Sequence, residues 1–134
     1  MPAKAFLDSN ILIYAVGDDE PRRALAEALI VQGSVVSAQV LAETASVLGR
    51  KFAVPPASIE RILTAIAARV QCEPVTADVV LAAVRLSAQL GFSHYDSQIV
   101  AAALAAGCEL LYSEDLQHGQ VIDGRLTIVN PFAA

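Results

Sequence analysis

The N-terminal stretch reads AKAFLDSN (residues 3–10) and decides the expected fold. Its apolar part, Ala3–Leu7, hardly alternates between apolar and polar residues, which is typical of a short strand buried on both faces of a parallel sheet. Asp8, Ser9 and Asn10 follow at once, and all three residue types begin helices well. The stretch therefore predicts a buried first strand whose carboxyl end carries a carboxylate and leads into a helix.

The same succession of strand and helix continues along the chain. Further strands are predicted at Val35–Val36, Cys72–Pro74, Glu109–Tyr112 and, after an Asp123-Gly124 turn, Leu126–Val129. Helices are predicted at Ile11–Val16, Pro21–Gln32, Ala38–Phe52 and Ala57–Val70, and then from caps at Thr76 and Ser93 to Leu90 and Ala106. Strands that alternate with helices indicate an α/β domain with a central, mainly parallel sheet flanked by helices on both faces.

Length and composition fit a single domain over residues 1–134. A hydrophobic content of 55% with only 17% charged residues excludes a disordered chain. The longest uncharged stretch, Ala28 to Ala42, is too short and too polar to cross a membrane. The N-terminus lacks the apolar segment of a signal peptide, so a cytoplasmic protein without a membrane association is expected.

Cysteine content and charge narrow the classes of function. Cys72 and Cys108 are too few for a disulfide framework, and both are predicted to be reduced cysteines in the core. The net charge of −5 argues against a protein that coats nucleic acid through a basic surface. It is compatible with a nuclease whose acidic residues gather around metal ions.

Four acidic residues are expected to come together. Asp8 and Asp115 follow predicted strands, and ligands of parallel sheets bind beyond the carboxyl ends of the strands. Glu43 and Asp96 lie within helices that are otherwise apolar. Carboxylates gathered in such surroundings raise one another's pKa unless cations compensate their charge. Because Mg²⁺ and Mn²⁺ prefer oxygen ligands, the pattern predicts metal-assisted hydrolysis.

Two of these acids also have a simpler interpretation as helix caps. Asp8 stands directly before a predicted helix, where an aspartate caps well. Ser93 and Asp96 have the spacing of a capping box, in which the carboxylate turns back to the first residue of the helix. Taken singly, each of these acids fits a cap as well as a site.

The other two acids differ in whether an ordinary structural role accounts for them. Asp115, like its neighbour Glu114, fits an ordinary acidic loop residue. Glu43 does not, because it borders the apolar face of the predicted helix, and Ala38–Leu48 has no other charged residue. The hypothesis of a site therefore rests on the four acids as a set.

These residues resemble the PIN-domain family of ribonucleases, and within it the VapC-type toxins of bacterial toxin–antitoxin pairs. The resemblance covers essentially the whole chain. The segments that carry it are FLDSNIL (6–12), VLAE (40–43), YDSQIVAAA (95–103), LYSEDLQHG (111–119) and NPF (130–132).

The resemblance implies an acidic pocket that binds one or two Mg²⁺ or Mn²⁺ ions. Its catalytic and metal-binding residues are implied to be the four acids, Asp8, Glu43, Asp96 and Asp115. Asp8 and Asp96 are expected to be the main ligands, and the other two to complete the site directly or through water. Asn10 and Ser113 match positions that support such a pocket by hydrogen bonding.

The implied activity is that of a metal-dependent endoribonuclease that hydrolyses RNA phosphodiester bonds and leaves 5′-phosphate and 3′-hydroxyl ends. As a toxin it is expected to act on structured RNA, at loops of transfer RNA or ribosomal RNA. The expected partners are a cognate antitoxin that plugs the acidic groove and a second copy of the chain in a homodimer.

Three other interpretations compete with this one. A phosphatase of the haloacid-dehalogenase type needs a second aspartate two residues after Asp8, where this chain has Asn10. A signalling receiver domain needs a lysine at the end of a late strand, but the only lysines are Lys4 and Lys51. A catalytically silent PIN domain that serves as an RNA- or protein-binding module stays open.

Overall fold

The structure, a computed structural model, describes residues 3–133, so residues 1, 2 and 134 of the predicted domain lie outside it. Within this range the strands are β1 (Ala5–Leu7), β2 (Val35–Ser37), β3 (Gln71–Glu73), β4 (Leu110–Tyr112), β5 (Val121–Ile122) and β6 (Leu126–Val129). The helices are α1 (Ser9–Ala15), α2 (Glu20–Val31), α3 (Ala38–Phe52), α4 (Pro56–Ala67), α5 (Ala77–Leu90) and α6 (His94–Ala105).

The strands form one sheet in the order β3-β2-β1-β4-β6-β5. Every pairing is parallel except that of β5 with β6. Because parallel crossovers are right-handed, the helices between β1 and β3 cover one face, and α5 and α6, which return the chain to β4, cover the other. The predicted α/β fold with a mainly parallel central sheet is confirmed. Within residues 3–133 we find no helix with the length and apolar content that a membrane span requires.

The first strand occupies the middle of this sheet, as its sequence predicts. Ala5, Phe6 and Leu7 are all buried, and β1 pairs in parallel with β2 on one side and β4 on the other. Leu7 lies opposite Tyr112, so β1 and β4 end side by side. The order of the strands reverses at this point, since the chain moves outward from β1 to β3 and then returns to β4.

The element boundaries differ from the predicted ones mainly where a cap or a pairing decides them. Helix α1 begins at Ser9 rather than Ile11, because Asp8 is its N-cap and accepts a hydrogen bond from the Ser9 amide. Strand β5 was not predicted, because two residues carry no periodicity of their own. It exists through its antiparallel pairing with β6 across Asp123 and Gly124, whose φ angles of +55° and +62° suit a type I′ turn.

The prediction that both cysteines lie in the core is wrong for Cys72. Cys108 is buried, whereas Cys72 is exposed. Cys72 belongs to β3, one of the two edge strands of the sheet, whose residues are exposed or only half-buried throughout. Burial raises the pKa of the Cys108 thiol to about 11, which keeps this thiol protonated at neutral pH.

Candidate active site

The candidate site lies at the carboxyl edge of the sheet, between β1 and β4. Asp8 directly follows β1, and its amide donates to the carbonyl of Tyr112 at 3.0 Å. The Ser113 amide donates to the Val129 carbonyl, also at 3.0 Å. Sheet hydrogen bonding therefore continues just past the strand ends and fixes the segments that carry Asp8 and Asp115. Ligands of open parallel sheets bind where the strand order reverses, which is the position of these two residues.

Asp8 is a buried carboxylate held by neutral donors. The residue is only 6% exposed. One oxygen accepts from the Ser9 amide at 2.8 Å, and the other accepts from the Ser113 hydroxyl at 2.8 Å and from the Asn10 amide group at 3.5 Å. No Lys, Arg or His within residues 3–133 forms an ion pair with it.

The pKa of Asp8 is raised from 3.8 to about 6. Burial is the main cause, because desolvation disfavours the charged form. The hydrogen bonds from Ser113 and Ser9 oppose this change, while the negative charges of Glu43 and Asp115 add to it. Three of the four predicted acids are therefore close enough to interact electrostatically.

Asn10 and Ser113 connect Asp8 to Asp115. The Asn10 amide group donates to Asp115 Oδ2 at 3.2 Å, and its oxygen accepts from the Glu114 amide at 3.2 Å. The Ser113 hydroxyl, which donates to Asp8, accepts from the Asp115 amide at 3.1 Å. The structure thus brings both predicted supporting residues into hydrogen-bond contact with acids of the candidate site.

Glu43 belongs to α3, the helix that follows β2. It is half-buried and lies one helical turn after Gln39, whose amide group donates to Glu43 Oε2 at 3.3 Å. The same amide group donates to the main-chain carbonyl of Tyr95 at 3.0 Å. Through Gln39, Glu43 on α3 is therefore connected to the residue that precedes Asp96 on α6.

Asp96 lies in the first turn of α6, where only one of the two hydrogen bonds of a capping box is formed. The Ser93 hydroxyl accepts from the Asp96 amide at 3.1 Å, so Ser93 caps the helix. Within residues 3–133, however, the Asp96 carboxylate takes part in no hydrogen bond or ion pair. The half-buried carboxylate is therefore free of the structural role that the cap would give it.

The four acids suit a hard divalent cation in their chemistry but do not converge on one point. They offer only oxygen donors, and no basic side chain in the described range pairs with them. Yet no three His, Cys, Asp or Glu side chains within residues 3–133 are arranged to surround an ion directly. Mg²⁺ commonly keeps several waters and binds through one or two carboxylates, so this donor set fits a partly hydrated ion.

The sequence context of Glu114 fits an ordinary acidic loop residue, but the structure gives this residue specific partners. Its carboxylate accepts from the Tyr14 hydroxyl at 2.8 Å and from Arg22 Nη1 at 2.6 Å. The Arg22 guanidinium also lies 5.1 Å from the centre of the Tyr14 ring and 5.3 Å from that of Phe132. This cluster ties α1, α2 and the C-terminal segment to the loop that carries Asp115.

The buried glutamines Gln39 and Gln98 are the polar residues near the site that sequence reasoning missed. Gln98 donates to Gln39 at 2.7 Å, and both are at least nine-tenths buried. The available signal was spacing: Gln39 precedes Glu43 by four residues, and His94 precedes Gln98 by four residues, on helix faces that are otherwise apolar.

One family model matches most of the chain. The PIN-domain family model matches residues 5–122. No curated protein matches the sequence of the chain at a significant level.

Solved structures with the same fold include toxins and toxin–antitoxin complexes. The chain is similar to the Mycobacterium tuberculosis toxin VapC20, described as a Sarcin-Ricin loop cleaving toxin, with 24% identity, a TM-score of 0.66 and coverage of 84% of this chain and 90% of that chain. It is also similar to a toxin–antitoxin complex from Klebsiella pneumoniae, with 21% identity, a TM-score of 0.74 and coverage of 98% of this chain and 100% of that chain. A third similar structure is VapBC2 from Rickettsia felis, bound to a DNA fragment from its promoter. Its identity is 20%, its TM-score is 0.67, and the match covers 92% of this chain and 96% of that chain.

Proposed function

The chain belongs to the PIN-domain family, and on that basis we propose that it is a metal-dependent endoribonuclease that hydrolyses RNA phosphodiester bonds. The observation that carries the proposal is the buried carboxylate of Asp8 at the reversal point of the sheet. Its pKa is raised by burial and by the charges of Glu43 and Asp115, and no basic residue in the described range neutralises it. A divalent cation is the compensation that this arrangement favours.

Each residue of the site has a distinct role in this proposal. Asp8 and Asp96 hold one or two Mg²⁺ or Mn²⁺ ions, and Glu43 and Asp115 complete the site directly or through water. When bound, such an ion lowers the pKa of water and stabilises negative charge on the phosphate that is being cleaved. Through their hydrogen bonds, Ser113 holds the carboxylate of Asp8, and Asn10 holds that of Asp115.

RNA cleavage by the purified protein is expected only in the presence of Mg²⁺ or Mn²⁺. A mixed RNA pool incubated with metal should yield new 5′-phosphate ends, and excess chelator should stop the reaction. Mapping the ends also tests the substrate class. Cleavage that continues in chelator, or that never occurs with the wild-type protein and metal, would contradict the proposal.

The alternative of a catalytically silent PIN domain rests on one observation. The four carboxylates do not converge within residues 3–133, so a site that only binds RNA or protein would look the same. RNA binding without cleavage in the experiment above would favour this alternative.

Structured RNA, at loops of transfer RNA or ribosomal RNA, is the proposed substrate. Four acids and a metal carry little information about bases, and the net charge of −5 gives little non-specific attraction to phosphates. The solved relative VapC20 is described as cleaving the Sarcin-Ricin loop. We therefore expect few cleavage positions, all in exposed loops; general degradation of unstructured RNA would contradict this proposal. Because such RNA is cytoplasmic, we propose the cytoplasm as the place of action.

A cognate antitoxin is the proposed protein partner. Similar solved structures from Klebsiella pneumoniae and Rickettsia felis are toxin–antitoxin complexes. A partner that covers the acidic pocket would exclude both metal and RNA, so its addition should stop cleavage.

We also propose that residues 1–134 form one domain, which the single sheet running through the described range supports.

A homodimer through α5 is proposed, and Leu81→Glu is expected to disrupt it. The outer face of α5 exposes Val80, Leu81 and Val84 to solvent, with 57% of Leu81 exposed. An unpaired carboxylate buried in an interface costs about 3 kcal/mol or more, which corresponds to a more than about 100-fold weaker dimer. Sedimentation equilibrium measures this. The control is Val31→Glu, since Val31 is 64% exposed on α2. A wild-type protein that is monomeric at high concentration, or an unchanged Leu81→Glu dimer, would contradict the proposal.

A further inference from the structure

A continuous row of hydrogen bonds leads from the first residue of α6 to Glu43. His94 Nε2 lies 3.0 Å from Gln98 Oε1, and Gln98 Nε2 donates to Gln39 Oε1 at 2.7 Å. Gln39 Nε2 then donates to Glu43 Oε2 at 3.3 Å and to the Tyr95 carbonyl at 3.0 Å. We name the two amide side chains, Gln39 and Gln98, the glutamine bridge.

The orientation of each amide in the glutamine bridge follows from its neighbours. An ionised Glu43 carboxylate and the Tyr95 carbonyl can only accept hydrogen bonds, so Gln39 must turn its NH₂ group towards them. Its oxygen then accepts from the NH₂ group of Gln98. The oxygen of Gln98 is left facing His94, so Nε2 of His94 must carry a hydrogen. The direction of every bond in the row is therefore set from the Glu43 end.

Burial makes this arrangement costly to disturb. Gln39 is 9% exposed and Gln98 is 7% exposed, so water has little access to replace a lost partner. Rotation of either amide would bring two acceptors or two donors together. A single conformation is thus strongly favoured, and Glu43 is held at a fixed position relative to the Tyr95 carbonyl, next to Asp96.

We infer that Gln39 and Gln98 are positioning residues that set the separation between Glu43 on α3 and Asp96 on α6. The inference rests on the proposed function, in which Glu43 and Asp96 come from different elements and serve the same metal site, directly or through water. Neither glutamine is proposed to touch the metal or the RNA. Groups that orient metal ligands in this way commonly affect metal affinity or activity by about 10–100-fold.

The test compares Gln39→Met and Gln98→Met with the wild-type protein. Methionine keeps a similar length and fills the buried space, but it cannot donate a hydrogen bond. We expect the dissociation constant for Mn²⁺, measured by titration of the folded protein, to rise by about 10-fold or more for Gln39→Met. Gln98→Met, one bond further from Glu43, should show a smaller change in the same direction. At saturating metal, kcat should fall for Gln39→Met while KM for RNA stays unchanged.

Thr44→Val is the matched control for the loss of a buried polar group. Thr44 is fully buried on α3 next to Glu43, but its hydroxyl donates within its own helix, to the Val40 carbonyl at 2.7 Å. This substitution should lower thermal stability without changing Mn²⁺ affinity or kcat. Equal losses in metal affinity for Thr44→Val and Gln39→Met would show that the glutamine bridge serves stability alone.

A readout independent of activity comes from the His94 ring. Nitrogen NMR of the labelled, metal-free protein should find the hydrogen of neutral His94 on Nε2 in the wild type, and this preference should weaken in Gln98→Met. Hydrogen on Nδ1 instead would overturn the deduced bond directions. If wild-type protein binds no metal, the proposed function and this inference both fail. If it binds metal and Gln39→Met binds equally well, only this inference fails.

Discussion

Replacing Asp8 by Asn is expected to lower RNA cleavage by more than about 100-fold, since even groups that only orient metal ligands are worth about 10–100-fold. The amide keeps the size of the side chain but removes the negative charge that would bind a cation. Among the four acids Asp8 is the most deeply buried, and its carboxylate accepts three hydrogen bonds, more than any of the other three carboxylates. Its loss should therefore have the largest effect.

The same substitution should leave the metal-free protein as stable as the wild type, or more stable. An asparagine oxygen can still accept from the Ser9 amide, but its NH₂ group cannot accept from Ser113 or Asn10, so these two hydrogen bonds are lost at a cost of about 1 kcal/mol each. Against this, the variant removes a buried charge that is repelled by Glu43 and Asp115. Loss of activity without loss of stability distinguishes a functional carboxylate from a structural cap.

Single-turnover cleavage rates and thermal melts in chelator measure the two effects. Asp123→Asn is the control, because Asp123 is exposed in the β5–β6 turn and asparagine tolerates its positive φ. Asp96→Asn should behave like Asp8→Asn, since the cap of α6 uses the Asp96 amide rather than its carboxylate. An Asp8→Asn variant that cleaves at a rate similar to the wild type would rule out Asp8 as a metal ligand.

The second large effect is on the pH dependence of stability. In the metal-free protein, the pKa of Asp8 is raised from 3.8 to about 6, mainly by burial. Between these values the folded state keeps a proton that the unfolded state has lost. Stability from this group therefore falls as pH rises from 3.8, and the full loss is present above pH 6. The difference between the two pKa values corresponds to about 3 kcal/mol.

Urea unfolding of the wild type and of Asp8→Asn, both in chelator, isolates this contribution. The free energy of unfolding of the variant, relative to the wild type, should rise by about 2 kcal/mol between pH 4 and pH 7, because part of the full change lies below pH 4. All other titrating groups are common to both proteins and largely cancel in the difference. A difference that is constant with pH would show that Asp8 titrates normally, and that its burial does not disfavour the charged form.

Residues 3–10 show how far local sequence pattern can predict structure. The apolar run of Ala5, Phe6 and Leu7 signals a strand buried on both faces, and that pattern is available without any knowledge of partners. The polar residue that ends such a run must lie at a strand end. Since parallel strands end at one edge, Asp8 and Asp115 could be assigned to one region from sequence alone.

Contacts between distant residues were outside the reach of such patterns. Gln39 and Gln98 meet across 59 positions, and Arg22 meets Glu114 across 92. Spacing relates Gln39 to Glu43 within one helix, but no sequence pattern pairs Gln39 with Gln98 or Arg22 with Glu114, because a buried glutamine and a surface glutamine look alike in sequence. The prediction that Cys72 is buried was wrong for a related reason, since only the strand order reveals that β3 is an edge strand.

The sequence by itself determined the α/β class, the central strand and the positions of the four acids along the chain, because periodicity and caps report local burial and chain direction. The tertiary structure decided which groups contact the acids. It placed Ser113 and Asn10 between Asp8 and Asp115 and the glutamine bridge beside Glu43, and it paired Arg22 with Glu114, the neighbour of Asp115. Those choices depend on the packing of helices on both faces of the sheet, which brings distant polar groups within the short range of a hydrogen bond.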